Sequence, residues 1–279
     1  MCVPISLILQ ERICKRKRCE GIVQEIVEQE GQTLLGWRDV PVSPESIGRL
    51  AAQVMPVIRQ FFVKRNTDLH EESAFELKLY LIRKRIEAAV VAQGLENVED
   101  FYIASLSSNR VVYKGLVMAD QIEHFYTDLS DISMKTSFAL VHSRFSTNTL
   151  GSWRLAHPYR FIIHNGEINT LRGNTNWMAA RESMFSSENL GDDVKKLLPI
   201  IGANQSDTAS LDNALELLMA TGRSLPHAMM MLVPEAWGDH IPMDPAKQAF
   251  YRYHSSLMEA WDGPALVIGT DGTQVCAVL

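Results

Sequence analysis

Thr136-Ser-Phe-Ala-Leu-Val-His-Ser-Arg-Phe-Ser-Thr-Asn-Thr149 and Phe161-Ile-Ile-His-Asn-Gly-Glu-Ile-Asn169 decide the reading of this chain. Each is a short apolar run that stops abruptly in polar, strongly hydrogen-bonding residues. Two buried strands are the natural reading: the apolar part fixes the backbone, and the polar tip meets a ligand. A helix is expected after the second run, through Trp177 and Arg181.

Outward from this centre, helices and strands alternate. Ile22, Val23, Ile26 and Val27 recur at helical spacing from Cys19 to the breaker Gly31. Thr33 to Trp37 and Val57 to Val63 read as strands. Ser73 to Gln93 is a long amphipathic helix stopped by Gly94. A hairpin is expected from Phe101–Ser105 and Val111–Tyr113 around Ser107–Arg110, then a helix over Met118–Leu129. Past the centre come helices over Asn174–Phe185, Asp192–Leu198, Asp207–Met219 and 244–260, with a methionine-rich run, Leu225–Val233, read as core. Trp261–Pro264 is a turn. The chain closes on a hairpin, Ala265–Gly269 with Val275–Leu279, around Asp271-Gly272. Strands in adjacent pairs imply antiparallel sheets, and the helices imply covering layers, so the fold class is α+β.

Bulk properties narrow the function. The chain has 279 residues, enough for one or two domains, and a 46% hydrophobic content that supports a sizeable core. A net charge of −6 disfavours a nucleic-acid partner. No apolar run approaches the roughly 20 residues that cross a bilayer. The apolar N-terminus lacks the basic flank and cleavage site of a signal peptide. Four cysteines, Cys2, Cys14, Cys19 and Cys276, show no metal spacing and read as reduced thiols of a cytoplasmic or organellar protein. The Asn204-Gln-Ser206 glycosylation pattern then carries no weight. Lys15-Arg-Lys-Arg18 reads as a solvated helix start rather than an import or phosphate-binding patch.

Three sets of residues suggest chemistry. Asn165-Gly166 is either the two residues of a tight hairpin or an oxyanion hole, in which an amide NH2 and a backbone N–H aim at one developing negative oxygen. Arg144 is either a surface ion pair or a planar fork for a carboxylate. Asp207 is either a helix N-cap or the partner of a substrate ammonium. Arginine, aspartate and a neutral donor pair together are what an α-amino acid needs. His142, His157, His164 and Glu167 match no metal motif, and His142 and His164 read as hydrogen-bonded core histidines. Ser146 and Ser206 lack a nucleophile elbow.

His142-Ser-Arg-Phe-Ser-Thr-Asn148, His164-Asn-Gly-Glu-Ile-Asn169 with Arg172-Gly-Asn174, Asn204-Gln-Ser-Asp207 and Trp261-Asp-Gly-Pro264 together resemble the class II glutamine amidotransferase domain of glutamate synthase large subunits. Gly36-Trp-Arg-Asp-Val-Pro41 and Met55-Pro-Val-Ile-Arg-Gln60 add to the likeness. It runs from about Cys19 to Leu279, within one domain of which residues 1–18 read as divergent. The resemblance implies a four-layer α-β-β-α sandwich of the N-terminal-nucleophile hydrolase type. It also implies hydrolysis of L-glutamine to glutamate and ammonia, with the ammonia passed to synthase domains of the same polypeptide and on to 2-oxoglutarate. FMN and an iron–sulfur cluster belong to those other domains; no cofactor or metal is expected in this region. Asn165 and Gly166 take the oxyanion hole, Arg144 and Phe145 the substrate contacts at the carboxylate, and Asp207 the ammonium.

One departure stands out. The family's nucleophile is a cysteine at the mature N-terminus, followed by glycine, whose own α-amino group is the base. Here Cys2 follows Met1, the continuation is Val3-Pro4, and the distance to Arg144 in sequence is short for the family. The expectation is a truncated domain lacking its first strands and its nucleophile. The alternatives are a minimal glutaminase using Cys2 and a non-catalytic module that binds an amino acid or a partner.

Overall fold

The computed structural model describes residues 2–3, 7–9, 13–94, 101–143, 151–188, 190–238 and 240–279. The chain divides into two compact units, Met1–Arg160 and Phe161–Leu279.

In the first unit, β1 (Cys2–Val3) and β2 (Leu7–Leu9) precede helix α1 (Ile13–Gln29) and strand β3 (Thr33–Asp39). Short α2 (Arg49–Gln53), strand β4 (Val57–Lys64), long α3 (Glu72–Ala92), β5 (Tyr102–Ile103) and α4 (Ile122–Phe125) follow. The sheet is antiparallel with β4 at its centre. One side of β4 pairs with β3; the other pairs with β1 and β2 in a single register, and β2 pairs onward with β5. Both β1 and β2 pair with β4, and β2 lies between β4 and β5.

Alternation along β4 builds two cores. Phe61 and Val63 face α1 and α3, joining Val23, Ile26 and Val27 of α1 to Phe75, Leu79, Ile82, Ile86 and Val90 of α3. Ile58 faces the other way, into a cluster with Tyr102, Phe125, Tyr126 and Trp153. Period two in the strand and period 3.6 in the helices therefore agree on where water is excluded. Each such side chain contributes about 1.5–3 kcal/mol on burial. Gly31 ends α1 at φ 72°, and Glu30 beside it accepts from Lys78 and Arg85 of α3. The basic run Lys15–Arg18 lies in the first turns of α1, with Lys17 and Arg18 exposed, as a solvated helix start requires.

Three expected elements of this unit are not formed as expected. Val111–Tyr113 makes no strand, and β5 pairs with β2 instead of closing a local hairpin. Met118–Leu129 is a single turn of helix, α4, followed by a 3-10 turn at Thr127–Ser130. Of the strand expected within residues 136–149, residues 136–143 form none: they have no ladder partner among the described residues, Val141 is 71% exposed, and 144–149 lie outside the described residues. An apolar run becomes a strand only where a neighbour completes its hydrogen bonds, and sequence composition does not reveal the neighbour.

The second unit begins with β6 (Ile162–Gly166), then α5 (Leu171–Arg181), α6 (Asp207–Ala220), α7 (Leu225–Leu232), α8 (Pro245–Ser255), β7 (Ala265–Thr270) and β8 (Val275–Val278). The strands form an antiparallel sheet in the order β6-β7-β8. Residues 208–218 of α6 are all buried, so this helix is enclosed rather than amphipathic at the surface. Met229 and Leu225 of α7 press on Gly269 of β7, which confirms the methionine run as core. The β7–β8 loop has four residues, not two: Thr270 pairs with Val275, and the Asp271 carboxylate accepts from the N–H groups of Thr273 and Gln274. The chain is therefore a mixed helix and sheet protein with antiparallel sheets. Among the described residues, no helix is long and apolar enough to cross a membrane.

Candidate functional site

Apolar Ile162 and Ile163 are buried in the sheet, and the strand then emerges at Asn165 and Gly166, which are exposed. Both residues are in register with β7, Asn165 opposite Leu266 and Gly166 opposite Ala265. The tight-hairpin reading of Asn165-Gly166 is thereby excluded: the neighbouring strand lies about a hundred residues downstream, and the polar pair is a strand end.

Beyond Gly166 the backbone is laced to the Trp261–Pro264 turn. Glu167 N–H donates to the Pro264 carbonyl (3.3 Å) and Asn169 N–H to the Asp262 carbonyl (2.8 Å). Thr170 Oγ1 accepts from Asp262 N–H, and Asn174 Nδ2 donates to the Ala260 carbonyl. The approach is close enough to require glycine on both sides. A Cβ at Gly166, where φ is 118°, would stand 2.0 Å from the Pro264 oxygen; one at Gly263 would stand 1.9 Å from the Glu167 oxygen. Two motifs distant in sequence are thus one structural device.

Asp207 is the first residue of α6, but it is not the cap. Ser206 caps the helix, its hydroxyl accepting from Ala209 N–H (3.1 Å). The Asp207 carboxylate instead accepts Ile168 N–H on one oxygen (3.1 Å) and Thr208 N–H on the other (2.6 Å). It therefore joins the start of α6 to the backbone two residues past Gly166, in a partly solvated position.

His164 lies beneath this junction, buried on β6. Its Nδ1 is 2.8 Å from Thr208 Oγ1 and 3.9 Å from Asp207 Oδ2. The core-histidine reading is right for His164. His142 instead stacks on His157 with ring centroids 4.2 Å apart. Burial holds the His164 imidazole below its ordinary pKa, and Asp207 pulls the other way without cancelling it. Unfolded, the ring titrates near ~6.5. Its contribution to stability is therefore complete above that value and is lost as pH falls toward the lowered folded value, because the unfolded state takes up the proton first. His254, lowered by burial first and then by His227 and Arg223, acts in the same direction. A urea midpoint that drops between pH 7.5 and 5.5 is expected to drop less in His164→Asn; an equal drop in both would contradict the assignment.

A cavity of about 430 Å³ opens alongside, lined by Leu171, Arg172 and Thr175 of α5 with Asn204, Gln205 and Ser210 at the start of α6. Arg144 and Phe145 lie outside the described residues. The backbone of Cys2 opens β1, opposite Lys64. Asn165, Gly166 and Asp207 are thus brought together in one unit. Arg172 stands in the sequence only as part of the family motif, with no role assigned to it, and Thr208 is marked only by Ser-Asp-Thr at a helix start, which reads equally well as capping.

A family model described as Glutamine amidotransferases class-II matches residues 3–279. The chain belongs to this family. Among class-II glutamine amidotransferase relatives, it is 52% identical over 265 residues to the glutamate synthase [NADPH] large chain of Bacillus subtilis (strain 168), covering 95% of this chain and 17% of that protein. It is 42% identical over 271 residues to the glutamate synthase [NADPH] large chain of Azospirillum brasilense, covering 97% and 17%. It is 44% identical over 268 residues to the glutamate synthase [NADH] of Saccharomyces cerevisiae, covering 94% and 12%. The chain thus spans under a fifth of the length of these relatives. Among the described residues, no three His, Cys, Asp or Glu side chains converge as a metal site requires. Cys19 is a buried thiol of the first unit, and Cys276 is a half-buried thiol of the second.

Proposed function

We propose that this class-II amidotransferase chain binds L-glutamine and serves its hydrolysis to glutamate and ammonia, the ammonia going to 2-oxoglutarate in the synthase parts of a longer polypeptide. FMN and the iron–sulfur cluster of that synthesis belong outside these residues, and no step here runs through them. The observation that carries the reading is the strand end Asn165-Gly166, tied through Ile168 N–H to the Asp207 carboxylate, in a chain of this family.

The chemistry follows from the groups present. Asp207 keeps lone pairs for a substrate ammonium while its backbone donors hold it still. Arg144, beside Phe145, supplies a permanently charged fork for the α-carboxylate. The side-chain amide then lies over the strand end. When a nucleophile attacks its carbon, negative charge grows on the oxygen, and Asn165 Nδ2 with Gly166 N–H are the donors for it. The proton taken from the nucleophile passes to the amide nitrogen as the C–N bond breaks and ammonia leaves, and water then cleaves the acyl–nucleophile bond, releasing glutamate and restoring the nucleophile. The four-layer sandwich remains the architecture of choice; what supports it is that each unit carries an antiparallel sheet with helices against it. A reducing compartment, cytoplasmic or organellar, suits the free thiols.

A second reading takes Cys2 as the nucleophile, favoured by its place as the first residue of β1. Loss of Met1 would expose its amine as the base. Ammonia release from L-glutamine that vanishes in Cys2→Ser, with Met1 absent by mass spectrometry, would establish this; binding without release in both proteins would leave glutamine capture as the function of this chain. Calorimetric titration decides the primary reading. Saturable L-glutamine binding that is lost in Arg144→Ala is expected, and absence of binding by the unaltered chain would overturn it.

A further inference from the structure

Buried His164 makes one hydrogen bond through its side chain, to Thr208, and its Nε2 has no hydrogen-bond partner among the described residues. We propose that His164 is a positioning residue for substrate capture: its Nδ1–H donates to the Thr208 hydroxyl, which donates to Asp207, and this relay fixes the carboxylate for the substrate's ammonium. The proposal deepens the glutamine reading above and rests on it.

The direction of the relay follows from donor and acceptor counts. Thr208 Oγ1 lies 3.2 Å from Asp207 Oδ1 and is its donor, since an ionised carboxylate only accepts. The hydroxyl's one proton is then committed, and the ring nitrogen 2.8 Å away must be the donor to it. That selects the Nδ1–H tautomer and leaves Nε2 with a lone pair. The opposite tautomer would bury an N–H without an acceptor and draw the hydroxyl proton away from Asp207, a double loss. Burial favours the neutral ring, so the relay persists at neutral pH.

The placement gives the relay a purpose beyond packing. Asp207 Oδ1 is held by Thr208 N–H and Oγ1, and Oδ2 by Ile168 N–H. The carboxylate plane is fixed at both ends, one oxygen on the backbone that follows β6 and the other on Thr208 of α6, whose hydroxyl meets His164 of β6. A freely rotating carboxylate would lose affinity in ordering itself on each binding event; a fixed one does not.

The relay is tested on the 279-residue chain with L-glutamine and with 4-carbamoylbutanoate, the same molecule without its α-amino group. His164→Leu fills the space but donates nothing; His164→Asn places an amide N–H where Nδ1 stood. In His164→Leu, L-glutamine affinity is expected to fall about tenfold, with 4-carbamoylbutanoate affinity unchanged and His164→Asn near the unaltered chain. Nitrogen-15 NMR of the imidazole is expected to show the Nδ1–H tautomer, with or without ligand. An Nε2–H tautomer, equal weakening toward both ligands in His164→Leu, or no rescue by asparagine would each overturn the proposal. Asp207→Asn separates the two levels. If it abolishes the preference for L-glutamine while His164→Leu preserves it, only the relay falls; if Asp207→Asn preserves the preference, the assignment of Asp207 falls and takes the relay with it.

Discussion

Gly166→Ala is expected to destabilise the second unit by about 3 kcal/mol or more. The backbone there sits at φ 118°, where a side chain alone costs about 1–3 kcal/mol. The added methyl would also meet the Pro264 oxygen at 2.0 Å and the Ala265 Cα at 2.9 Å, and both are backbone atoms that no rotamer change can move. Relief would require parting β6 from β7 at their paired ends, where Asn165 presents its amide. Gly173→Ala is the matched control. Gly173 lies exposed in α5 with nothing within 4 Å of its Cβ position, so alanine there is expected to stabilise by about 0.5–1 kcal/mol. Urea midpoints of the two variants should move in opposite directions. A cost below about 1 kcal/mol for Gly166→Ala would show that the turn yields freely and that the strand end is not rigidly held.

Asp207→Asn carries the largest expected effect on ligand binding, and it separates charge from scaffolding. The amide keeps an oxygen to accept one of the two backbone donors, Ile168 N–H or Thr208 N–H, so stability should fall by only about 1 kcal/mol. The charge is gone, however, and truncating one side of a desolvated charge pair costs about 2–5 kcal/mol of affinity. L-glutamine binding is thus expected to weaken by about thirtyfold to several thousandfold, while the thermal midpoint moves by a few degrees. If affinity and stability fell in step, Asp207 would be a purely structural link between α6 and β6.

How much of this was legible in the sequence depended on the range of the interactions. Helices α1 and α3 were readable because Val23, Ile26 and Val27, or Phe75, Leu79, Ile82 and Ile86, repeat within a few residues of one another. Strand β6 and the β7–β8 pair were readable for the same reason. The segment 136–143 has as strong an apolar pattern as β6 and yet is no strand, because nothing in its own residues names a partner. The Asn165-Gly166 ambiguity was local as well, since the pair suits a turn or a strand end equally; only its register with residues 265 and 266 decides.

Within the site, side-chain chemistry marked Asn165, Gly166 and Asp207 as a compatible set. It did not show what holds them. The Ile168–Asp207 link spans 39 residues, the His164–Thr208 link 44, and the Gly166–Pro264 contact nearly a hundred. A single sequence carries no trace of such pairings. Trp261–Pro264 reads in sequence as a turn and as part of a resemblance; the structure gives its physical reason, since it is the backbone against which the end of β6 is seated.

The central claim is that one strand end and one helix start form the receiving side of a glutamine site. A crystal structure of the Cys2→Ser chain with L-glutamine tests it most directly. The account predicts the α-ammonium within about 3 Å of the Asp207 carboxylate, with the amide oxygen turned toward Asn165 Nδ2 and Gly166 N–H. Glutamine bound elsewhere in the chain, or bound with its amide toward Asp207, would contradict it.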